Sequence, residues 1–286
     1  MSIDIDHLSQ WIGRSEKKTD TVNAAPLIGL VATLDMDDDY STAGAEILPA
    51  GHWLYFLPAA PQSELGPDGH AKRGGFLPPV ELPRRMWAGG RIEFLQPIRV
   101  GDAITRVSTI KDIKQRQGKS GELLFVVVQH DVSGPDGLAV REEHDIVYRD
   151  NPPPGAPPPM AQTVPEGSVW RRAIDPDPVL LFRYSALTFN GHRIHYDHKY
   201  VTEVEGYPGL IVHGPLMATL LLDLCRRENA KRVLKKFSYR AVSPVFDTGP
   251  FTVNGKPGED GSTADLWIAN TDGNLAMKAE AELGDE

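Results

Sequence analysis

Three histidines, an asparagine and an aspartate lie within the eleven residues TFNGHRIHYDH, residues 188–198. Imidazole serves as a general base, a general acid or a metal ligand near neutral pH. The spacing of His192, His195 and His198 would suit a metal site on one helix face. However, the segment before these histidines reads as a strand or short helix, and Gly191 lies at the start of the histidine stretch, so one continuous helix face is not expected. The close ligand pairs and cysteines of a typical zinc site are also absent. We therefore expect no metal, with His192 and His198 beside the reacting residues or in solvent.

The strongest helix signal follows shortly afterwards, in GPLMATLLLDLCRREN. Its apolar residues recur at helical spacing, and Pro215 occupies the first turn, where proline is tolerated. This helix leads into CRRENAKRVLKK, whose charged residues would ordinarily form a solvated face: Arg226, Arg227, Lys231, Arg232, Lys235 and Lys236.

Composition excludes several classes of protein. The formal net charge of −9 disfavours a nucleic-acid partner, because binding phosphates needs a basic surface, although a small anion could still bind in a local basic pocket. No window approaches the roughly 18 apolar residues of a membrane span. The polar start MSIDIDHLSQWIGRSEKK lacks the segments of a secretory signal, and the single Cys225 fits a reducing compartment. We expect a cytoplasmic protein with no membrane partner.

A proline-rich stretch, residues 151–168, divides the chain into segments 1–150 and 169–286. Proline stiffens the backbone, so this stretch predicts an extended linker between two units of domain size. The halves resemble each other weakly. RIEFLQPIRVGD resembles SYRAVSPVFDTG, and PDGLAVREEHDIVY resembles TDGNLAMKAEAEL, with one offset of a residue. This favours an internal duplication.

Alternating or β-branched segments predict strands in both halves. In the first half they are AEILPAGHWLYFLP, RIEFLQPIRV, AITRVSTIKDI, ELLFVVVQHDV and AVREEHDIVYRD. In the second half they are FSYRAVSPVF, GPFTVNGK, STADLWIANT and LAMKAEAEL, after PDPVLLFRYSALTFN as strand or short helix. A long helix followed by an antiparallel sheet predicts an α+β fold, with the first half a degenerate copy.

The segment FNGHRIHYDHKYV…GYPGLIVHGPL resembles the MaoC-like, hot-dog-fold hydratases and dehydratases of enoyl thioesters. Together with GHWLYFLP, SELGPDGHAKRGGFLPPVELPRRMWAGGRIEF and PVFDTGPF, it is most similar to the mesaconyl-C4-CoA hydratase group, which includes itaconyl-CoA hydratases. The resemblance covers nearly the whole chain. It implies a double hot-dog fold, in which two curved antiparallel sheets each wrap round a helix.

The resemblance also implies site residues. His195 matches the motif histidine and would be the general base. Asn190 stands where most members carry aspartate, and a carboxamide can orient water but cannot transfer a proton. This implies a mechanism with one base. Gly214, at the helix start, would donate its N–H to the enolate oxygen. The alternatives are that Asn190 caps a turn and Gly214 supplies one.

Further residues are candidates for substrate contacts. A mesaconyl or itaconyl group ends in a free carboxylate, which arginine binds best, so we consider Arg193, Arg84 and Arg85, each of which could instead be a surface charge. His192 would lie beside the substrate, and His213 would order its loop. Because coenzyme A carries phosphates, the basic cluster gains four candidate contacts: Arg226, Arg227, Lys231 and Arg232.

The sequence thus predicts a hydro-lyase that forms citramalyl-CoA from mesaconyl-C4-CoA or itaconyl-CoA. It would need no cofactor beyond the coenzyme A of its substrate. It would also form a homodimer or higher oligomer. The alternatives are a 3-hydroxyacyl-thioester dehydratase for longer chains, a hot-dog thioesterase, and a non-catalytic acyl-CoA-binding protein. Asn190 argues against a thioesterase, because hydrolases of this fold generally use a carboxylate as base or nucleophile. The presence of both His195 and the His-Gly start of the long helix argues against a binding protein.

Overall fold

A computed structural model describes residues 3–72, 74–118, 121–151 and 160–285. The first half contains α1 (Ile5–Ser9), β1 (Ser15–Thr21), α2 (Ala24–Leu34), β2 (Arg84–Phe94), β3 (Ala103–Gly118), β4 (Gly121–Gly134) and β5 (Gly137–Arg149). The second contains β6 (Trp170–Ile174), α3 (Pro178–Leu187), α4 (His198–Glu203), α5 (Gly214–Glu228), β7 (Val233–Ala241), β8 (Phe251–Pro257), β9 (Thr263–Ala269) and β10 (Leu275–Gly284). Among these described helices, none has the length and apolarity that crossing a membrane would require.

The ten strands form one antiparallel sheet in the order β1-β3-β4-β5-β2-β7-β10-β9-β8-β6. The order is symmetric about its centre, where β2 pairs with β7 in the register Gly90↔Tyr239 and Ile92↔Phe237. Each half therefore contributes five strands in the same sequence of pairings. This repeated topology supports the internal duplication that the two weak sequence echoes suggested.

Helix α5 is the centre of the second half. All of its residues from Leu216 to Cys225 are buried, so the helix is enclosed on every side rather than amphipathic. It packs on strands β6 to β10, against apolar side chains such as Phe237 and Phe251. Cys225, a free thiol, is fully buried, and burial raises its pKa to about 11. A half-sheet wrapped round one helix is the unit that the sequence predicted.

The first half has no counterpart of α5 among its described residues. Between α2 and β2 it has only the short 3₁₀ turns Gly51–Leu54 and Gln62–Glu64. The predicted strand over residues 45–58 is therefore wrong. Ala50 and Phe56 adopt left-handed backbone conformations that break an extended strand. The apolar residues of this segment are buried although they belong to a loop. Their spacing resembles the alternation of a strand, which is why the sequence predicted one.

Two further predictions concern the connection between the halves. PDPVLLFRYSALTFN forms a helix, α3, because Asp177 caps it by accepting the N–H of Leu180 at 2.8 Å. The histidine stretch thus follows a helix and not a strand. Of the predicted linker, residues 152–159 lie outside the described residues, so its conformation stays a prediction. The last strand of the first half ends at Arg149, and the next strand begins at Trp170.

The buried carboxylate of Asp223 ties α5 to its surroundings. Its side chain is fully buried and forms ion pairs with Arg172 at 3.0 Å, Arg227 at 2.8 Å and Arg226 at 3.2 Å. Arg226 continues the network to Asp38 of the first half at 2.7 Å. The network therefore connects α5 with both halves of the chain.

We expect Asp223→Ala to lower the free energy of unfolding by about 3 kcal/mol, because it leaves three clustered guanidinium groups without their shared anion. Urea denaturation at neutral pH measures this change. The control is Asp265→Ala, since the Asp265 side chain is 63% exposed and lies 3.9 Å from Lys256. That variant should lose less than about 0.5 kcal/mol. Equal losses for the two variants would contradict a structural role for Asp223.

Candidate active site

The histidine stretch is held in a compact turn after α3. Phe189 adopts a left-handed conformation, and Asn190 donates its N–H to Ser185 O at 2.8 Å. Asn190 Oδ1 in turn accepts the N–H of His192 at 3.0 Å. The alternative in which Asn190 caps a turn is thus realised. Its side-chain NH2 has no hydrogen-bond partner within the described residues, so the carboxamide retains donors for a water or a substrate.

His195 ends the short 3₁₀ turn Arg193–His195 and is held by the second motif block. Ile211 donates its N–H to Ile194 O at 3.0 Å, and His195 Nδ1 lies 2.7 Å from Ile211 O. A carbonyl only accepts hydrogen bonds, so His195 Nδ1 carries the proton. The other nitrogen, Nε2, therefore has a free lone pair. These two hydrogen bonds join the two blocks that lie sixteen residues apart.

His213 lies directly beneath His195. The two rings stack with centroids 3.7 Å apart and an interplanar angle of 18°. His213 Nε2 is 2.8 Å from Ser185 Oγ, whereas its buried Nδ1 has no partner in the described structure. Burial lowers the pKa of His195 to about 3 and holds that of His213 well below the usual range. Both rings are therefore neutral at neutral pH, and His213 packs against His195 from the residue before α5.

Gly214 follows His213 and begins α5, whose first-turn N–H groups have no acceptors within the helix. Pro215 has no N–H, so Gly214 and Leu216 are the donors of this turn. The ring of Trp87, from β2, lies against Gly214, and a Cβ at position 214 would overlap it. The site thus has a neutral imidazole with a free lone pair next to the positive end of a helix dipole. Such an arrangement can remove a proton and stabilise a developing oxyanion.

A loop of the first half covers the histidine stretch. Asp68 accepts the N–H of Arg193 through its carbonyl at 2.9 Å, and its carboxylate pairs with His70 Nδ1 at 2.9 Å. The ring of His70 lies 4.1 Å from that of His192, which is 5.5 Å from His195. The potential ligand atoms of Asp68, His70 and His192 lie within 4.8 Å of one another. These three could hold a metal, unlike the trio suggested by spacing, because His198 is exposed at the start of α4.

Two of the arginines considered for a substrate carboxylate bind protein groups. Arg193 donates from Nε and Nη2 to Asp197 at 3.0 and 2.8 Å, and from Nη1 to Pro67 O at 2.9 Å. Arg84 donates to Asn151 Oδ1 at 2.8 Å and to Tyr207 OH at 2.7 Å. Arg85 has no acidic partner among the described residues. Arg193 is therefore held in place by Asp197 and by the loop at Pro67.

The basic cluster lies at the far end of α5. The helix has 15 residues, so its last turn is about 20 Å from Gly214. Arg226 and Arg227 bind the buried Asp223, and Arg232 pairs with Asp285 at 3.2 Å. Lys231 is exposed and has no acidic partner among the described residues. The charges of Arg226 and Arg227 thus balance an internal carboxylate, and the phosphate contacts expected of the cluster stay a prediction.

The sequence analysis missed a buried polar group in the first half. Glu142 accepts hydrogen bonds from His52 Nε2 and Trp53 Nε1, each at 3.0 Å. Burial works to raise the pKa of Glu142, but the hydrogen bond from His52 and nearby positive charge outweigh it and lower the pKa to about 2. His144 lies two residues on, on the same face of β5. The sequence contains a signal for this group, because Glu142 and His144 occupy the same face of the strand as the apolar Val140, Ile146 and Tyr148.

Comparison with known proteins agrees with this geometry. Residues 50–247 match the family described as hydroxyacyl-thioester dehydratase type 2. The chain is 46% identical over 277 residues to a mesaconyl-C(4)-CoA hydratase of Chloroflexus aurantiacus, covering 96% of this chain and 97% of that protein. It is 28% identical to a mitochondrial hydroxyacyl-thioester dehydratase type 2 of Schizosaccharomyces pombe, covering 87% and 91% of the two chains.

Solved structures share the fold. A MaoC-like dehydratase from Phytophthora capsici superposes with a TM-score of 0.69 at 15% identity, covering 99% of this chain and all of that one. A Mycobacterium tuberculosis protein described as a double hot dog gives 0.55 at 13% identity, covering 95% and 96%. The predicted α+β double hot dog is confirmed. The chain belongs to the hydroxyacyl-thioester dehydratase type 2 family and is a hydro-lyase of the hydratase and dehydratase type.

Proposed function

We propose that this protein adds water across the C=C bond of a short, branched, dicarboxylic enoyl-CoA, and catalyses the reverse dehydration. The observation that carries the proposal is the neutral ring of His195. It stacks on His213, the residue immediately before the N-terminus of α5. The 46% identical relative, a mesaconyl-C(4)-CoA hydratase, supports the choice of acyl group. The product from mesaconyl-C4-CoA would be citramalyl-CoA.

The reaction requires a base, an oxyanion donor and a proton source. His195 Nε2 removes a proton from water while the water oxygen attacks Cβ. The π electrons of the C=C bond move to the thioester carbonyl, and the N–H groups of Gly214 and Leu216 stabilise the enolate oxygen that forms. The imidazolium of His195, or a second water, then protonates Cα. The net change is the addition of one water molecule.

Asn190 lies five residues before the base and has a side-chain NH2 without a partner in the described parts of the chain. In this mechanism it orients the attacking water and takes no proton. Its Oδ1 stays bound to the His192 N–H, which fixes the carboxamide plane. The substitution of asparagine for the usual aspartate thus leaves His195 as the one proton-transfer group of the motif.

The burial of His195 has two chemical consequences. It keeps the imidazole neutral, so the base is ready over a wide pH range. It also makes the imidazolium a strong acid, because the site gives little stabilisation to the charged ring. Protonation of Cα by the imidazolium is therefore favourable once water has added. The same features allow the reverse reaction, in which His195 removes the Cα proton of a hydroxyacyl-CoA.

Itaconyl-CoA is the second proposed substrate. Its C=C bond is not conjugated with the thioester, so water addition first needs conjugation. His195 would remove a Cα proton to give a dienolate, and return of the proton to the terminal CH2 carbon would give mesaconyl-C4-CoA. Hydration then yields citramalyl-CoA as before. The base and the oxyanion donors serve both steps, and neither step needs a cofactor beyond the substrate's coenzyme A.

Dehydration of longer 3-hydroxyacyl thioesters is the second candidate function, supported by the 28% identical yeast dehydratase. The two functions differ in the end of the acyl pocket, where a fatty chain needs apolar walls and a diacid needs a cation. The oligomeric state and the cytoplasmic location stay predictions from the sequence.

The first test is the hydration of mesaconyl-C4-CoA and crotonyl-CoA by wild type and His195→Gln, followed by loss of the conjugated-thioester absorbance. Itaconyl-CoA is followed by product mass. We expect His195→Gln to lower kcat about 10²- to 10⁴-fold, because the general base is lost. His198→Gln is the matched control, an exposed histidine three residues away, and should keep wild-type rates. Release of free CoA without a water adduct would instead indicate a thioesterase.

The pH dependence is a second test. His195 acts only when unprotonated, and its pKa of about 3 lies below that of an ordinary histidine. We expect kcat/KM to change less than about twofold between pH 8 and 5, whereas a base with pKa 6.5 would lose about thirtyfold at pH 5. Circular dichroism must show that the protein stays folded, because unfolded histidines bind protons below about pH 6.5 and reduce stability in acid. An acid limb near pH 6.5 in folded protein would contradict a buried neutral base.

A further inference from the structure

The acyl group proposed above carries a free carboxylate, and one arginine near the site has no acidic partner. Arg193 is bound to Asp197 and packs over the Tyr200 ring at 4.1 Å. Arg84 is bound to Tyr207 and lies 3.9 Å from Glu205. For Arg85, the described residues provide no carboxylate. Of the three candidates, it alone has a guanidinium that is free to bind a ligand.

Strand geometry directs Arg85 toward the site. Successive side chains of a strand alternate between its faces, so Arg85 shares a face with Trp87. The register with β5 agrees, since Arg85 lies opposite Tyr148 and Trp87 opposite Ile146, both buried residues of the inner face. The Trp87 ring contacts Gly214. Arg85 is therefore about 7 Å along the strand from the residue that touches the oxyanion turn, a distance similar to the length of a four-carbon diacid.

The charge of Arg85 acts on two imidazoles of this region, those of His144 and His192. Burial is the main reason that the pKa of His144 falls to about 4 and that of His192 to about 3, and the positive charge of Arg85 lowers both further. The guanidinium is thus near enough for its charge to act on both rings. Asp68, the nearest acid to His192, is already paired with His70. Within the part of the chain that the structure describes, Arg85 therefore forms no ion pair with a carboxylate.

The same region holds buried polar atoms without partners. Trp87 Nε1, His144 Nε2, Tyr239 OH and His213 Nδ1 are all buried and make no hydrogen bond within the described structure. The Trp87 ring joins this group, with its centroid 4.8 Å from that of Tyr239 and 5.5 Å from that of His144. Buried polar atoms are rarely left unpaired, so their grouping beside Gly214 indicates the place of a polar ligand.

We propose that Arg85 binds the free carboxylate of the acyl group and so selects dicarboxylic over monocarboxylic enoyl-CoA substrates. This inference rests on the proposed hydratase function. In mesaconyl-C4-CoA the carboxylate is attached to Cβ, the carbon that water attacks. Its negative charge would repel the attacking oxygen as that oxygen loses a proton to His195. A guanidinium paired with the carboxylate removes this repulsion and fixes the orientation of Cβ.

The test compares substrates that differ in this group alone. The panel is mesaconyl-C4-CoA, its carboxamide analogue, which has the same shape without the charge, and crotonyl-CoA. We expect Arg85→Gln to lower kcat/KM for the diacid about 100-fold or more, as for the loss of one partner of a buried charge pair. The losses for the amide and for crotonyl-CoA should be much smaller. Arg84→Gln, the neighbouring arginine on the opposite face of β2, should leave the ratio of diacid to crotonyl-CoA within about threefold of wild type.

The outcomes separate the two proposals. If wild type hydrates none of the three thioesters, the proposed function fails whatever Arg85 does. If wild type hydrates the diacid and Arg85→Gln keeps its preference over the amide, the assignment of Arg85 is overturned. Wild type alone gives an independent result, because equal kcat/KM for the diacid and the amide would also overturn it. Should Arg85→Gln fold poorly, Arg85→Lys keeps the charge and should retain a preference for the diacid.

Discussion

The antiparallel pairing of β2 with β7 is the constraint on which the rest of the molecule depends. This pairing joins two half-sheets into one and fixes the first half against the second. It brings Trp87 of β2 against Gly214 at the start of α5, and beside Tyr239 of β7. The site, whose proposed base and oxyanion donors belong to the second half, thereby gains a wall from the first half. The halves are duplicated in topology, but only together do they enclose the site.

The register across this junction explains why the first half could lose its helix. Pairing with β2 and β7 makes Glu142 and His144 of β5 equivalent to Ala279 and Ala281 of β10. In the second half, alanines leave room for α5 to pack on the sheet. In the first half, Glu142 binds His52 and Trp53 of a short 3₁₀ turn, and the His144 ring lies beside that of Trp87. Where the second half has an apolar interface between helix and sheet, the first half thus has a buried carboxylate whose hydrogen bonds compensate for its burial.

The electrostatics of the site follow from burial. Four imidazoles near the junction, of His144, His192, His195 and His213, have their pKa values lowered chiefly by desolvation. At neutral pH they supply lone pairs and N–H groups without charge. The positive ends of the site are then the N-terminus of α5 and the guanidinium of Arg85. A substrate with a developing enolate at one end and a carboxylate at the other matches this distribution of charge.

The sequence by itself determined the parts of this protein that depend on local order. Apolar spacing and Pro215 predicted α5 within a residue of its start, because a helix is encoded by neighbours three and four positions apart. The two motif blocks identified His195 and Gly214, and alternation predicted most strands. The failures arose where a segment was buried by distant contacts. Residues 45–58 alternate like a strand but pack as a loop. PDPVLLFRYSALTFN, expected as a strand or short helix, forms the helix α3 with Asp177 as its N-cap.

Only the tertiary structure decided which charges are free. The sequence left Arg84, Arg85 and Arg193 as candidates together, because nothing near Arg84 in the chain reveals that Tyr207 and Glu205 lie beside it. The pair of Arg193 with Asp197 is local, four residues apart, but its geometry depends on the turn between them. The sequence also presented the basic cluster at the end of α5 as one group, although Arg226 forms ion pairs with Asp223 and Asp38. The loop bearing Asp68 and His70 meets Arg193 across 126 residues of chain, through Pro67 O, and Glu142 meets His52 across 90. Ion pairs and packing between residues so far apart in the chain depend on the fold, because the sequence positions of the partners do not indicate that they are in contact.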